Sequence, residues 1–125
     1  FGDSPEMADR LLKLILAGTK TATCSSRWEW EHEHQTPLTV GALAVITDGT
    51  NQPRCVIETT AVVETPFNEV TPEFAYHEGE GDRSYEYWRR EHWAFFARTL
   101  PRIGKEPAET MLLLCERFRV IYQES

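Results

Sequence analysis

A lysine followed at once by several hydroxyl side chains is the group of residues with the clearest capacity for chemistry. Residues 18–26 read GTKTATCSS. An unprotonated lysine can take the proton of a nearby hydroxyl and so turn it into a nucleophile. On an extended strand Thr21 and Thr23 point to the same face, so either hydroxyl could serve. If the chain has an active site, we expect it in this segment.

Such a role places a demand on Lys20. The pKa of a lysine is about 10.4 in a model peptide, and burial or a neighbouring cation must lower it towards neutrality before the amine can act as a base. The alternative is that Lys20 extends along a strand end while Thr23 is simply a strand-forming residue. Spacing alone favours this second interpretation.

Two further groups resemble metal ligands. The acidic turn, residues 78–82 with the sequence EGEGD, offers carboxylates on flexible glycine spacing, which suits magnesium or manganese. Solvated loops and helix caps have the same composition and are more common. His32 and His34 alternate, yet no cysteine or third histidine nearby completes a transition-metal set. We therefore predict no metal ligands and no cofactor; a divalent metal is expected only if the protein is a ribonuclease.

A basic and aromatic group follows the hydroxyl segment. Arg27, Trp28 and Trp30 could stack on a nucleic-acid base, a contact worth roughly 1–3 kcal/mol per base in single-strand binders. Filling one end of the fold with these rings is the alternative, and the sequence favours neither. Further along the chain, the apolar and aromatic stripe of Tyr85, Trp88, His92, Phe95 and Phe96 has helical spacing and is expected to be core.

Composition limits the function classes. The chain has 125 residues, 41% of them hydrophobic, and a formal net charge of -7, which fits one domain, residues 1–125, that repels long polyanions. We expect a small or pocketed ligand rather than a DNA duplex. Its three cysteines show no CxxC spacing, which favours a reducing cytoplasm. Neither a membrane span nor a signal peptide is predicted, although the chain begins at Phe1 and some N-terminal sequence could be missing.

The surrounding pattern predicts the elements that position these residues. Ser4 and Pro5 begin a helix that Gly18 closes, and a strand follows from Thr21. Residues 27–34 alternate two residue types and are predicted to be extended, with Trp28, Trp30, His32 and His34 on one face. Residues 42–47 and 55–63 predict a hairpin, and residues 111–122 a final strand.

Two helices are expected between the hairpin and the final strand. A short one begins at Thr71-Pro72 and runs to about His77, and a longer one spans about residues 83–99, capped by Asp82. About five or six strands and three helices result. We predict an α+β fold, a small and mostly antiparallel β-barrel of about six strands flanked by helices.

Several segments together resemble a known family, the ASCH domain, an RNA-associated relative of the PUA fold. They are residues 16–26, with glycine, lysine and threonine at 18, 20 and 23, the acidic turn, and three shorter segments: FNEV at 67–70, FA at 74–75 and WRREH at 88–92. The likeness covers essentially the whole chain. It implies a six-stranded barrel with helices around it and a cleft for RNA or a modified nucleoside.

The resemblance also implies a site. One bacterial branch of the family hydrolyses the amide of acetylated cytidine with a lysine, a threonine and a glutamate, which look like Lys20, Thr23 and Glu78 here. Glu78 would pass a proton to the leaving amine, although an ion pair with Lys20 would oppose the lower pKa that a base needs. That branch carries an arginine two residues after the threonine, where this chain has Ser25, so the substrate is less firmly implied than the site.

Three functions therefore follow from the sequence. The first is a hydrolase acting on a nucleoside or RNA end, with Lys20, Thr23 and Glu78 as catalytic residues. In the second, a non-catalytic RNA-binding module, Lys20 contacts a phosphate, Thr23 and Ser25 donate hydrogen bonds, and no bond is broken. The residues predicted to bind the substrate or RNA are Thr21, Ser25, Arg27, Trp28 and Trp30. The third is a metal-dependent ribonuclease centred on Lys20 and the acidic turn. Another member of the family looks like such an enzyme. The oligomeric state is left open.

Overall fold

The described part of the chain forms four α-helices and one antiparallel sheet. The computed structural model describes residues 2, 4–34 and 36–124. In chain order the elements are α1 (Pro5–Leu16), β1 (Ala22–Ser26), α2 (Arg27–Glu33), β2 (Leu43–Thr47), β3 (Pro53–Pro66), α3 (Pro72–Glu78), α4 (Tyr85–Thr99) and β4 (Leu112–Gln123). Short 3-10 turns follow β3 at Phe67–Glu69 and α4 at Leu100–Ile103. Within the described residues, no helix has the length and hydrophobicity that crossing a membrane requires.

The ends of α1 follow the predicted rules. The Ser4 hydroxyl accepts a hydrogen bond from the Met7 backbone N–H at 3.1 Å, and Pro5 occupies the first turn. Gly18 takes the left-handed conformation, with φ at 78°, which ends the helix. The chain therefore enters β1 within a few residues, and Lys20 lies in that short connection.

The sheet has the strand order β1-β4-β3-β2, with every neighbouring pair antiparallel. This confirms the predicted α+β class and the predicted antiparallel strands flanked by helices. The predicted number of about six strands was wrong, because the described residues form four strands curled into half a barrel. One strand, β3, is 14 residues long and continues through bulges, which allow it to bend instead of splitting in two.

The two faces of β4 carry different cores. Leu113 and Cys115 belong to the larger cluster, with Phe67, Trp88 and Phe96, under α3 and α4. Phe118, three residues after Cys115, points to the opposite face and joins a second cluster. Its other buried members are Leu12, Ile15, Ile46, Cys55 and Ile57. The sheet thus separates the α3/α4 side of the molecule from the α1 side.

The segment predicted to be extended after β1 is a helix instead. Residues 27–33 form α2, and Arg27 pairs with Glu31 one turn later at 3.7 Å. Trp30 stacks on His34 with ring centroids 3.7 Å apart, a contact between residues four apart. The alternation was therefore misleading, and the four-residue spacing of interacting side chains was the better signal. His32 and His34 no longer share the face of a strand.

The caps of α3 and α4 correct a smaller expectation. Thr71 caps α3 as predicted, accepting from the Phe74 N–H at 3.1 Å. Ser84, not Asp82, caps α4, because its hydroxyl accepts from the Tyr87 N–H at 3.1 Å. Asp82 accepts from the Ser84 N–H at 2.9 Å and so shapes the turn that precedes the helix. The acidic turn is thereby held between two capped helices.

Candidate functional site

Lys20 is buried at the junction of α1 and β1. Its backbone N–H donates to the Leu14 carbonyl at 3.0 Å, which anchors it to the end of α1, and its side chain is only 1% exposed. The ammonium nitrogen Nζ donates to Glu78 Oε1 at 2.9 Å, to Glu80 Oε2 at 3.1 Å and to the Ala22 carbonyl at 2.8 Å. The last contact fixes the backbone immediately before Thr23.

Glu78 is the last residue of α3 and is also only 1% exposed. Besides Lys20, it accepts a hydrogen bond at Oε2 from Trp88 Nε1 at 2.6 Å, and His92 Nε2 lies 3.3 Å from the same oxygen. The predicted acidic turn is therefore not wholly exposed, because its first carboxylate is in the core. Such a carboxylate is tolerated only where charges and donors surround it.

Gly79 allows the end of α3 to lie directly against the backbone of residues 19–21. Gly79 ends α3 with φ at 76°, and a Cβ there would lie 2.5 Å from the Thr19 carbonyl oxygen. The Thr21 N–H donates to the His77 carbonyl at 2.9 Å, beside this close approach. Main-chain contact thus holds the end of α3 against residues 19–21, so the pairing of Lys20 with Glu78 is built into the backbone as well as the side chains.

The electrostatics fix the protonation states of the pair. Burial lowers the pKa of Lys20, but Glu78 and Glu80 raise it by more, so the pKa lies above its usual value and the side chain is an ammonium. Burial raises the pKa of Glu78, whereas Lys20 and His92 lower it by more, and the carboxyl stays ionised. A general base at Lys20 would need a lowered pKa, so the observed shift opposes that role.

Two residues of α4 take part in the site, although the sequence assigned the whole aromatic stripe to the core. Trp88 is buried and uses its indole N–H on Glu78, while His92 stacks on Trp88 with ring centroids 4.6 Å apart. His92 Nδ1 lies 2.9 Å from the Trp88 carbonyl, which leaves Nε2 facing Glu78. A buried indole N–H requires an acceptor, and that requirement was the one available sequence signal for this contact.

The charge of His92 gives a testable pH dependence. Burial lowers the pKa of His92, but Glu78 raises it by more, so the folded-state pKa lies above its usual value of 6.5. A raised pKa stabilises the fold fully below about pH 6.5, and this stabilisation is lost as the pH rises through the folded-state value. We expect the free energy of unfolding, from urea titrations at a series of pH values, to fall across that range.

The matched variants for this test are His92→Gln and His32→Gln. His32 is exposed on α2, so its replacement should leave the pH dependence of the wild type intact. His92→Gln should flatten the curve above about pH 6.5. An unchanged slope in His92→Gln would show that another group is responsible.

One group of potential metal ligands occurs among the described residues. Cys24 Sγ, a Glu78 oxygen and a His92 nitrogen lie within 4.8 Å of one another. Burial and Glu78 together raise the pKa of Cys24 well above its usual value, so the thiol stays protonated. Glu78 is already bound by Lys20 and Trp88. These groups satisfy one another, and we assign no metal to them.

Thr23 faces the other side of the sheet from Glu78. Cys24 points towards Glu78 and His92, and successive residues of a strand point to opposite faces. In the register of the sheet Thr23 is opposite Glu116, which is opposite Val62. Thr59 on β3 donates to Glu116 Oε2 at 2.5 Å on this same face. The nucleophile candidate therefore lies in a polar row with a carboxyl that the sequence did not single out.

An open cleft of about 660 Å³ lies over this face of the sheet. Its floor includes Val62, Glu64 and Leu114, and Leu114 is opposite Ser25 in the register. Its wall consists of α2 and the segment that follows. The lining residues there are Arg27, Trp30, Glu31, His34, Thr36, Pro37, Leu38, Thr39 and Val40. Thr23 and Ser25 thus share the face on which the cleft is built.

The predicted binding residues separate into two groups. Arg27 and Trp30 line the cleft; Arg27 pairs with Glu64 at 3.5 Å, and Trp30 Nε1 donates to the Thr36 carbonyl at 2.9 Å. Trp28 packs against the larger core cluster and lines a second cavity of about 250 Å³. The Thr21 hydroxyl points to the His77 carbonyl, 3.5 Å away.

The structure therefore brings Lys20 and Glu78 into direct contact and places Thr23 and Ser25 on the opposite face of β1, the face that carries the cleft, although neither of them lines it. Their catalytic and binding roles stay predictions. The sequence named Glu80 only as part of the acidic turn, and it missed the other supporting residues, which are Cys24, Thr59, Trp88, His92 and Glu116. Apart from Cys24, these residues lie far from Lys20 along the chain, and the pattern of their elements indicated packing alone.

Comparison with known proteins extends this picture. A family model described as the ASCH domain matches residues 1–122. The crystal structure of an ASCH domain from Lactobacillus crispatus JV V101 is similar at 37% sequence identity and a TM-score of 0.91, covering 98% of this chain and 77% of that one. A crystal structure from Enterococcus faecalis V583 is similar at 39% identity and a TM-score of 0.90, covering 98% and 74%. No curated protein matches the sequence.

Proposed function

Because this chain belongs to the ASCH domain family, we propose that it binds a modified nucleoside or the end of an RNA strand in the cleft and hydrolyses an amide on the base, as in acetylated cytidine. One observation carries the proposal. Lys20 is a buried ammonium whose Nζ donates to the Ala22 carbonyl, one residue before Thr23, whose side chain lies on the face of the sheet over which the cleft opens. This bond ties a fixed positive charge to the strand that carries the candidate nucleophile, and preorganised charges near a reacting group are a common feature of acyl transfer.

The ligand that fits is small. Pockets for small molecules commonly measure about 300–1,000 Å³, and the cleft of about 660 Å³ lies in that range. Trp30 offers an aromatic surface for a base, and Arg27 offers a guanidinium beside it. The net charge of -7 disfavours a long duplex, which needs an extended basic surface. With Cys24, Cys55 and Cys115 all free thiols, a reducing cytoplasmic setting belongs to the same proposal.

In this proposal Thr23 attacks the amide carbonyl and forms a transient ester with the acyl group. Lys20 acts as a fixed positive charge and as an anchor for the backbone before Thr23. Glu78 keeps Lys20 protonated and in place, together with Glu80. The ionised carboxyl of Glu78 positions the lysine. Its surroundings do not favour the proton transfer to the leaving amine that the family resemblance implies for it.

Two observations weigh against a phosphate contact at Lys20 and against a magnesium site at the acidic turn. Lys20 is only 1% exposed, so it is poorly placed to hold a phosphate of bound RNA. Both carboxylates of the acidic turn that reach the site, Glu78 and Glu80, are paired with Lys20, which reduces their capacity to bind magnesium. A cleft that binds RNA without hydrolysis is the second candidate, because Arg27 and Trp30 would serve it equally well.

Incubation with acetylated cytidine and, separately, with a short single-stranded RNA distinguishes these functions. We expect release of cytidine and acetate, measured by liquid chromatography, at the same rate in magnesium and in EDTA. Cleavage of the RNA that stops in EDTA would support the ribonuclease instead. Binding of RNA without turnover of either substrate would leave the binding module as the function.

A further inference from the structure

Glu116 occupies the middle of the sheet on the cleft-facing side. It lies on β4, the strand between β1 and β3, and its register partners are Thr23 and Val62. Residues directly opposite in an antiparallel pair have Cβ atoms about 4.5–5.5 Å apart. The Glu116 carboxyl is therefore within reach of the Thr23 hydroxyl and of a group attached to it.

A neighbouring hydroxyl holds this carboxyl in place. Thr59 is buried, and its Oγ1 donates to Glu116 Oε2 at 2.5 Å. Thr59 lies on β3, on the far side of Glu116 from Thr23. The carboxyl is thus fixed from one side and offered to Thr23 on the other, as a group that exchanges protons in a defined geometry must be.

The surroundings of Glu116 and Glu78 shift the pKa values of the two carboxyls in opposite directions. Burial raises the pKa of Glu116, and the hydrogen bond from Thr59 and the charge of Lys20 lower it by less, so the pKa lies above its usual value. The pKa of Glu78 is shifted in the opposite direction by Lys20 and His92, against the effect of burial. Pairs of acids separated in this way divide the tasks of a site between them. Glu78 stays ionised, and Glu116 is the one suited to gaining and losing a proton.

We propose that Glu116 is the catalytic acid and base of the site, which takes the proton of Thr23 during attack and delivers it to the leaving amine. This inference rests on the proposed function, because it needs an amide that Thr23 attacks. It replaces Lys20 as the base, since the amine of Lys20 is already protonated and bound to two carboxylates and a carbonyl.

The steps balance without a metal or a further reactant. As Thr23 Oγ1 bonds to the acyl carbon, its proton moves to the Glu116 carboxylate. The carbon–nitrogen bond then breaks, and the proton moves from Glu116 to the leaving nitrogen. Water attacks the resulting ester and gives a proton to Glu116, the bond to Oγ1 breaks, and that proton returns to Oγ1. Lys20 stays protonated throughout.

The test uses Glu116→Gln, which keeps the size of the side chain and an oxygen for the Thr59 hydroxyl. We expect kcat for acetylated cytidine to fall about 100-fold or more, with KM changed by less than about threefold, because proton transfer contributes about 10²–10⁴ in rate. Glu58→Gln is the matched control: Glu58 lies next to Thr59 in sequence, pairs with Arg119 at 2.7 Å, and should leave kcat unchanged.

The free energy of unfolding and the pH dependence of kcat/KM distinguish a proton-transfer role of Glu116 from a purely structural one. Since burial disfavours the charge of Glu116, removal of that charge should leave the free energy of unfolding equal to or higher than that of the wild type. The wild-type kcat/KM should fall in acid as Glu116 becomes protonated, and this acid limb should disappear in Glu116→Gln. Lys20 is the charged group that acts on Glu116 here, whereas His92 acts on Glu78.

Each result decides a different question. If the wild type hydrolyses acetylated cytidine and Glu116→Gln does so within about threefold of it, Glu116 is not the proton carrier and the proposed function stands. A retained acid limb in Glu116→Gln leads to the same conclusion. If the wild type hydrolyses no acylated nucleoside, the proposed function fails and the role of Glu116 fails with it.

Discussion

Replacement of Lys20 by methionine is expected to reduce the free energy of unfolding by about 3–5 kcal/mol, the usual cost when one partner of a buried ion pair is removed. The cause is Glu78, whose carboxylate is 1% exposed and would lose its main counter-ion, so it would have to stay charged in the core or take up a proton. Glu80 loses the same partner but is 18% exposed, so water compensates it more readily. Urea titration at neutral pH measures the effect.

Two further variants test the cause. Lys13→Met removes an exposed lysine from α1 and should change the stability by no more than about 0.5 kcal/mol. Lys20→Met combined with Glu78→Gln removes both charges and should recover a large part of the loss, because no ionised group is then left buried without a partner. A double variant that is less stable than Lys20→Met alone would contradict this explanation.

Replacement of Thr23 by valine is expected to reduce kcat for acetylated cytidine by about three orders of magnitude or more, as loss of a nucleophile does in other acyl-transfer enzymes. Valine has the shape of threonine and the same preference for a strand, so the fold should not change. Thr23→Ser keeps a hydroxyl and should retain measurable turnover. An acyl-enzyme on Thr23, trapped with substrate and detected by mass spectrometry, would identify the attacking atom.

A control on the same sheet makes this test specific. Thr60 is exposed on β3, and Thr60→Val changes the same atoms outside the cleft. Its kcat should equal that of the wild type. Turnover by Thr23→Val at the rate of Thr60→Val would exclude Thr23 as the nucleophile, whatever the substrate.

Local sequence rules were sufficient for much of the scaffold. Ser4, Pro5 and Gly18 determine the bounds of α1 through capping and backbone conformation, which depend on neighbouring residues alone. The hairpin and the final strand follow from runs of β-branched residues and the turn between them. Residues 27–33 were the exception, because alternation of two residue types fits a strand while the contacts of Arg27 and Trp30 four residues onwards favour a helix.

The site itself depends on distant contacts that no local pattern contains. Lys20 and Glu78 are 58 positions apart, and only the family resemblance paired them from the sequence. Trp88 and His92 have the spacing of a core stripe because they do pack in the core, and their polar atoms are what distinguishes them. Glu116 is one charged residue in an alternating strand. Its significance comes from the register with Thr23, which depends on the assembled sheet.

The sequence left open whether Lys20 is a base or a phosphate clamp, and the geometry favours neither. An ammonium that is 1% exposed and bonded to Glu78, Glu80 and the Ala22 carbonyl does not reach a phosphate on the surface. The same bonds raise its pKa, so it is not a resting base. The arrangement fits a fixed charge that orients β1, and the base that we propose is Glu116.

All seven residues of α2 stay partly or fully exposed, although this helix supplies much of the cleft wall. The groups to which we assign the proposed chemistry, by contrast, are fixed by the core and by the register of the sheet. Substitutions at the exposed cleft-lining residues Arg27 and Glu31 of α2, and at the exposed positions among residues 36–40, therefore carry little cost in stability, whereas Trp28 packs against the larger core cluster. A lineage could alter which ligands the protein admits, one wall residue at a time, while the reacting groups stay as they are; for an engineer, these wall positions are the place to randomise.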